Sequence, residues 1–195
     1  MKTIRQELFW PTPLWHTNIS DLINNNEIEN WVLSQQKSSD SRFKSNRGGW
    51  QSDLIKSEPV VENLVDVIEK FCKELPFKIR KVSMSQMWAN INYKGNWNSI
   101  HQHGGYYDLC GTYYVKVPEN SGNILFRDPR PGAIASPLIN HIFDKGEWRG
   151  VNMKAGHLMI WPPFLDHFVE PSKSDEPRIS ISFDLNAKCF EPDVK

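Results

Sequence analysis

The apolar positions of this chain change period near residue 80, and the change divides it into two kinds of structure. Before it, Leu22, Ile23, Ile28, Trp31, Val32 and Leu33 recur at three- and four-residue steps, which predicts an amphipathic helix over 20–36. Leu64, Val65, Ile68, Phe71 and Cys72 repeat the pattern. This second helix is expected to begin at a Ser57 N-cap, with Pro59 in its first turn, and to end at Lys73, Glu74 and Pro76. Glu58 and Glu62 there oppose the positive end of the helix dipole. From Lys81 the period becomes two. Val82, Met84, Gln86, Trp88, Asn90 and Asn92 are expected on one strand face, and Ser83, Ser85, Met87, Ala89 and Ile91 on the other. Neither face is wholly polar, so both should be covered.

Further short strands are expected over 100–103, 109–117, 122–127, 148–153, 157–161 and 178–185. Turn clusters at 119–122, 128–132 and 144–146 separate them. Ahead of the helices, the proline-punctuated stretch 8–18 reads as an extended arm along a sheet edge. The polar stretch 37–53, with Arg42, Lys44, Arg47, Gly48, Gly49 and Trp50, reads as a loop and a candidate lid. Short strands with no helices between them predict an antiparallel sandwich or jelly roll. The chain is therefore mainly β with flanking helices. Residues 1–80 form the arm and the helices that buttress one sheet, and residues 81–195 the β core, in one compact domain.

Charge narrows the function. The 23 acidic and 23 basic residues cancel, and neither sign gathers into a block, so the chain lacks the basic stripe a nucleic-acid partner needs. Three scattered cysteines, Cys72, Cys110 and Cys189, offer no CxxC pair and read as ordinary reduced thiols. The polar N-terminus carries no signal-peptide core, and no apolar window reaches membrane-spanning length. The expectation is a cytoplasmic protein with no membrane partner. Eight tryptophans and ten phenylalanines suit a β-rich body with a ligand cleft.

The chemistry gathers in the histidines. His101 and His103 are two residues apart, just after a Gly/Asn turn. On an extended segment they share a face, with Cα atoms about 6–7 Å apart by the strand rise, and can hold one metal ion. His167 follows a Pro-Pro turn, and Arg178 and Ser180 lie on one face of the alternating strand beyond it. His16, His141 and His157 stand isolated. Three facial imidazoles leave three positions of an octahedral ion open, which suits Fe(II) oxygen chemistry with a bidentate 2-oxoacid. The Arg178 guanidinium can grip the far carboxylate of that acid with two parallel hydrogen bonds, and Ser180 can add a hydroxyl.

The motifs Tyr93-x-Gly95-x-Trp97-x-x-x-His101-x-His103, Gly111-Thr112-Tyr113-Tyr114-Val115 and Gly122-Asn123-Ile124-Leu125-Phe126 carry a family resemblance. It continues through 155–162, His167 and Arg178-x-Ser180. The chain resembles the Fe(II)/2-oxoglutarate-dependent oxygenases, in their prolyl-hydroxylase-like branch. Among these it is most similar to small oxygenases of marine bacteria and phages. The likeness covers residues 81–186 and implies a double-stranded β-helix (jelly roll) with the N-terminal helices packed on one sheet. It implies an oxidoreductase, a dioxygenase that uses Fe(II), 2-oxoglutarate and dioxygen. Succinate and carbon dioxide leave as a C–H bond is hydroxylated, on a free or peptidyl amino-acid side chain. His101 takes the place of the first iron ligand and His167 of the distal one. Arg178 and Ser180 take the 2-oxoglutarate carboxylate, and Tyr93 falls near a tyrosine that touches the co-substrate.

One departure stands out. The family's usual His-x-Asp/Glu is here His-x-His. Three explanations remain: His103 ligates, Asp108 swings in from the next loop, or His103 ligates while His101 stands behind it. Without the carboxylate the site is expected to be one charge more positive. Two other functions stay open, a cupin-like three-His dioxygenase that uses no 2-oxoacid and a non-catalytic jelly-roll binding module. The expected partner is a small-molecule or peptide/protein substrate, with a homodimer left open. Two further stretches have plain readings. Residues 161–164 read as a buried turn rather than a ligand platform, and 127–131 as a solvated hairpin rather than a substrate contact.

Overall fold

The computed structural model describes residues 11–130 and 147–189. Residues 8–10 of the expected arm, 131 and 132 of one turn, the whole 144–146 turn, and His141 lie outside them. Two helices come first, α1 (Asn25–Ser38) and α2 (Pro59–Lys73). The Asn24 side chain accepts from the Glu27 backbone N–H at 3.3 Å and donates to the Glu27 carboxylate. This reciprocal cap starts α1 five residues later than the apolar spacing predicts. The N-cap of α2 is Glu58, with no side-chain cap bond, so Ser57 is not the cap. Pro59 at the first helical turn removes a donor that would otherwise be orphaned.

Eleven strands are described: β1 (Trp15–Asn18), β2 (Asn46–Arg47), β3 (Trp50–Gln51), β4 (Ile79–Asn92), β5 (Trp97–His101), β6 (Leu109–Lys116), β7 (Ile124–Arg127), β8 (Trp148–Gly150), β9 (His157–Trp161), β10 (His167–Val169) and β11 (Arg178–Cys189). They form two antiparallel sheets, ordered β1-β9-β6-β11-β4-β3 and β2-β5-β10-β7-β8. After β4 the chain crosses repeatedly between the sheets, so β11 closes between β6 and β4. That connectivity is a jelly roll. The arm supplies β1, an edge strand beside β9.

Both helices cover the outer face of the six-stranded sheet. Ile28, Val32, Leu64 and Ile68 share a core with Ala89 and Ile91 of β4, Tyr113 of β6 and Phe183 of β11. Each fully buried aliphatic side chain of this kind contributes about 1.5–3 kcal/mol. Polar contacts fix the docking. Tyr113 Oη donates to Asn25 Oδ1, and Glu69 Oε1 accepts from the Met84 backbone N–H at 3.0 Å. A second core lies between the sheets, where Tyr114, Met159 and Trp161 meet Ile124, Phe126 and Leu165.

The expected single face from Val82 to Asn92 is broken. In the β4–β11 ladder Asp184 pairs with Gln86 but Leu185 with Met84, which leaves Ser85 as a bulge. One extra residue inverts the alternation. Val82 and Met84 therefore join Met87, Ala89 and Ile91 on the helix side, while Gln86, Trp88, Asn90 and Asn92 face the interior of the sandwich.

The 37–53 stretch is more than a loop. It closes the tail of α1 and supplies two strands, with β2 adding to β5 of one sheet and β3 to β4 of the other. It stitches the two sheets together at one side. Asn46 is buried, and its Nδ2 donates to the carbonyls of Gly49 and Arg42 at 2.9 Å each. Trp50 Nε1 donates to the Ser39 carbonyl. A Cβ at Gly49 would meet the Ile91 carbonyl at 2.8 Å, so only glycine allows this close approach. Among the described residues, no helix is long and apolar enough to cross a membrane.

Candidate metal and co-substrate site

Strands β5 and β10 pair so that His101 and His167 lie directly opposite, with ring centroids 4.2 Å apart. β5 ends at His101, so His103 is not part of the expected 100–103 strand. It stands two residues beyond, where its backbone N–H donates to the Pro163 carbonyl at 3.0 Å. Its ring lies 5.6 Å from that of His101 and 5.2 Å from that of His167. One nitrogen from each of the three rings falls within 4.8 Å of the other two.

The Nδ1 atoms all have partners. His101 Nδ1 meets the Ser99 carbonyl at 2.7 Å, and His167 Nδ1 the Leu165 carbonyl at 2.9 Å. His103 Nδ1 meets Asp184 Oδ1 at 2.5 Å. When Nδ1–H donates, the lone pair is on Nε2, the tautomer a metal needs. Burial pushes the pKa of His167 well below the usual histidine value, and the nearby His101 adds to the effect. Burial also lowers that of His101, partly offset by the Ser99 carbonyl. Neutral imidazoles are thus favoured at both positions.

These rings face one cavity of about 580 Å³. Its floor is a two-strand ladder of inward side chains, with Arg178 opposite Asn92, Ser180 opposite Asn90, Ser182 opposite Trp88 and Asp184 opposite Gln86. Arg178 is 3 % exposed. Its Nη1 donates to the Gly122 carbonyl at 3.1 Å, while its buried Nε has no partner. Among the described residues no carboxylate pairs with it. Burial pulls its pKa below the ordinary guanidinium range, and the adjacent Tyr114 opposes this. A buried cation without its anion is costly, and the open donor edge suits a carboxylate. Tyr114, also on the cavity wall, has its hydroxyl pushed up to about 12 by burial, so it stays protonated.

The structure therefore brings together His101, His103, His167, Arg178 and Ser180, and leaves two expected groups out. Tyr93 is 38 % exposed, donates to Gln36 Oε1 on α1 at 2.8 Å and does not line the cavity. It sits in the turn after β4, outside the alternation that points Asn90 and Asn92 inward. Asp108 accepts from the Ala187 backbone N–H at 2.7 Å and does not reach the histidines. The carboxylate beside them is Asp184, whose signal was the run of alternating polar positions 178, 180, 182 and 184 on β11. The site is thus not one carboxylate short: the charge lies behind His103 instead of in its place. Cys110 Sγ also approaches His103 and Asp184, and burial, reinforced by Asp184, keeps its thiol protonated.

Among the described residues of the 127–131 and 161–164 stretches, only Trp161 reaches the cavity wall. Trp161 is buried, edge-on to His103 and His167, while Phe164 in the following turn is exposed. Arg127 pairs with Glu147 and Arg130 with Asp128, all outside the cavity. His16 and His157 are not isolated but neighbours across β1 and β9, with centroids 6.5 Å apart.

Comparison with known proteins identifies the family. A family model described as "Putative 2OG-Fe(II) oxygenase" matches residues 86–184, which contain all three histidines, Arg178 and Asp184. No curated protein sequence matches the chain. Among solved structures it is similar to a Pseudomonas putida prolyl-4-hydroxylase, at TM-score 0.64 and 10% identity over 91% of this chain and 94% of that one. It is similar to the viral collagen prolyl hydroxylase of Paramecium Bursaria Chlorella virus-1, solved as a 2-oxoglutarate complex (TM-score 0.60, 13% identity, 88% and 94% covered). It is also similar to HygX from Streptomyces hygroscopicus, solved with nickel and 2-oxoglutarate (TM-score 0.61, 12% identity, 90% and 83% covered). At such identities these structures speak for the fold. The family match covers half the chain and its whole cavity floor, and with it the chain belongs to the 2OG-Fe(II) oxygenases, enzymes that use Fe(II), 2-oxoglutarate and dioxygen.

Proposed function

We propose that His101, His103 and His167 hold the iron, that Arg178 and Ser180 anchor 2-oxoglutarate, and that the enzyme hydroxylates an amino-acid side chain, free or in a peptide. One observation carries this reading. Three rings with Nε2 free converge at one end of a cavity whose floor also holds a buried guanidinium with an unpartnered Nε. A divalent cation suits the first feature and a dicarboxylate the second. Iron and 2-oxoglutarate, when bound, supply the oxidising chemistry, releasing succinate and carbon dioxide and placing one oxygen atom in a C–H bond.

The chain's own residues hold and orient. The Ser99 and Leu165 carbonyls fix two of the rings. The open donor edge of Arg178 takes the far carboxylate of 2-oxoglutarate, with the Ser180 hydroxyl beside it. Tyr114 and Ile124 wall that end and exclude water. The rest of the cavity lining includes the amides of Gln51, Gln86, Asn90, Asn92 and Asn98, together with Trp88 and the cations Arg42 and Lys44. Such a wall offers both donors and acceptors, which suits a peptide backbone or an amino acid. Two of the similar solved structures are prolyl hydroxylases, and another is a Trichoplax adhaerens prolyl hydroxylase in complex with a peptide fragment.

The unpartnered Nε of Arg178 favours this reading over a three-His dioxygenase that needs no 2-oxoacid. Anaerobic addition of Fe(II) and then 2-oxoglutarate should give a weak visible charge-transfer band. The band should vanish in His101→Ala and fail to form at ordinary 2-oxoglutarate concentrations in Arg178→Ala. Persistence of the band in His101→Ala would refute the ligand assignment.

A further inference from the structure

We infer that Asp184 is a positioning residue of the metal site, holding the His103 ring with Nε2 toward the ion and placing one negative charge directly behind it. The inference rests on the proposed three-histidine site and goes beyond it. Asp184 is 1 % exposed, and both its oxygens are engaged. Oδ1 meets His103 Nδ1 at 2.5 Å, and Oδ2 accepts from Gln86 Nε2 at 2.5 Å. Gln86 is the residue opposite Asp184 in the β4–β11 ladder, just beside the Ser85 bulge. Among the described residues, no lysine or arginine pairs with this carboxylate.

His103 needs such a partner more than the other two ligands do. His101 and His167 sit opposite each other in a strand ladder, and each ring is fixed by a carbonyl two residues before it. His103 lies past the end of β5, tied by a single backbone bond to Pro163. Its ring rests between Trp88 and Trp161, at centroid distances of 5.7 and 6.2 Å, contacts that leave rotation about Cβ–Cγ unsettled. The bond to Asp184 settles it.

Charge gives the second reason. A site of two histidines and one carboxylate presents an anion directly to a divalent ion. Here three imidazoles take the contact positions, and the single carboxylate lies one hydrogen bond away. The donor set and its support keep the same net charge, and a carboxylate behind an imidazole makes Nε2 a stronger donor. A buried carboxylate is costly to desolvate unless its partners return that cost. Metal binding through His103 supplies the return.

The test uses the full-length apoprotein titrated with Mn(II) alone, with free Mn(II) read by electron paramagnetic resonance. Asp184→Asn should weaken Mn(II) binding about 10- to 100-fold, the range typical of outer partners of metal-bound histidine. The melting temperature of the apoprotein should change by only a few degrees. Added to His103→Ala, Asp184→Asn should cost no more than about twofold further, because its route to the metal is gone. Unchanged affinity in Asp184→Asn would overturn the inference, as would the full loss repeated in the His103→Ala background. If Asp184→Asn does not fold, Asp184→Ser replaces it. If His103→Ala binds too weakly to measure, the visible spectrum of bound Co(II) decides: altered bands in the Asp184 variant support the inference, and an unaltered spectrum refutes it. A wild-type protein that binds no Mn(II) would instead refute the metal site itself.

Discussion

His101 and His167 face each other across the β5–β10 ladder at a ring separation of 4.2 Å, although 65 residues of chain lie between them. The ladder, not the side chains, sets this distance. A ring removed from either strand cannot be replaced by a neighbour, since the adjacent residues point to the other face. His167→Ala should therefore abolish succinate formation and leave less than a tenth of the wild-type metal after gel filtration, measured by elemental analysis. Retention of stoichiometric iron would exclude His167 as a ligand.

Arg178 is buried with an incomplete set of partners, so its removal should separate stability from binding. Arg178→Met deletes a buried charge and keeps much of its volume. The melting temperature of the apoprotein should hold or rise, because an apolar replacement of a buried ion is often neutral or stabilising. Affinity for 2-oxoglutarate should fall by about 2–4 kcal/mol, roughly 30- to 1,000-fold. Calorimetric titration of the Mn(II)-loaded protein measures it. Arg178→Lys should recover part of the loss, as a point charge without the planar fork.

Acid should destabilise the apoprotein through the same histidines. Burial holds the folded-state pKa values of His101 and His167 below the ordinary 6.5, so the unfolded chain binds more protons just below that pH. Their contribution is complete above pH 6.5 and is lost as the pH falls toward the folded values. The urea midpoint of the apoprotein should drop between pH 7 and pH 5. A saturating divalent metal should raise the midpoint at pH 7 and do so less at pH 5, where protons compete for Nε2. A flat apoprotein profile would contradict the burial argument.

The stitch between the sheets depends on Asn46. Asn46→Ala removes the amide donor to the carbonyls of Gly49 and Arg42 and leaves them only the Ser41 hydroxyl, which offers a single proton for both, at a cost of about 1–3 kcal/mol. The loss should be local. Limited proteolysis is expected to cut within 39–54 faster than in wild type, and the cavity wall that carries Gln51 and Ser52 should loosen, raising the KM for the organic substrate more than that for 2-oxoglutarate.

The apolar period located both helices and most strands, because α2 and β11 each bury one continuous apolar face and their residues repeat accordingly. Boundaries were less legible. The start of α1 is set by the Asn24–Glu27 cap, which a stripe of apolar residues does not encode. The Ser85 bulge leaves no mark in the alternation of β4, since it exists only relative to the register of β11. Asp184 was missed for a related reason: a lone aspartate in a strand reads as a surface residue until Gln86 and His103 are seen to enclose it. Tyr93 stands outside the cavity lining because a motif carries spacing and not direction.

By itself, the sequence determined that the chain would form helices and then a β sandwich, and that His101, His103, His167, Arg178 and Ser180 were the residues to watch. Those are properties of composition and period, which are local. Only the tertiary structure decided that β5 and β10 pair in the register that joins His101 to His167. Only it showed that Asp108 turns away and that Asp184 stands behind His103. Register and long-range packing come from the burial of whole faces against one another, and no stretch of chain read alone contains its partner.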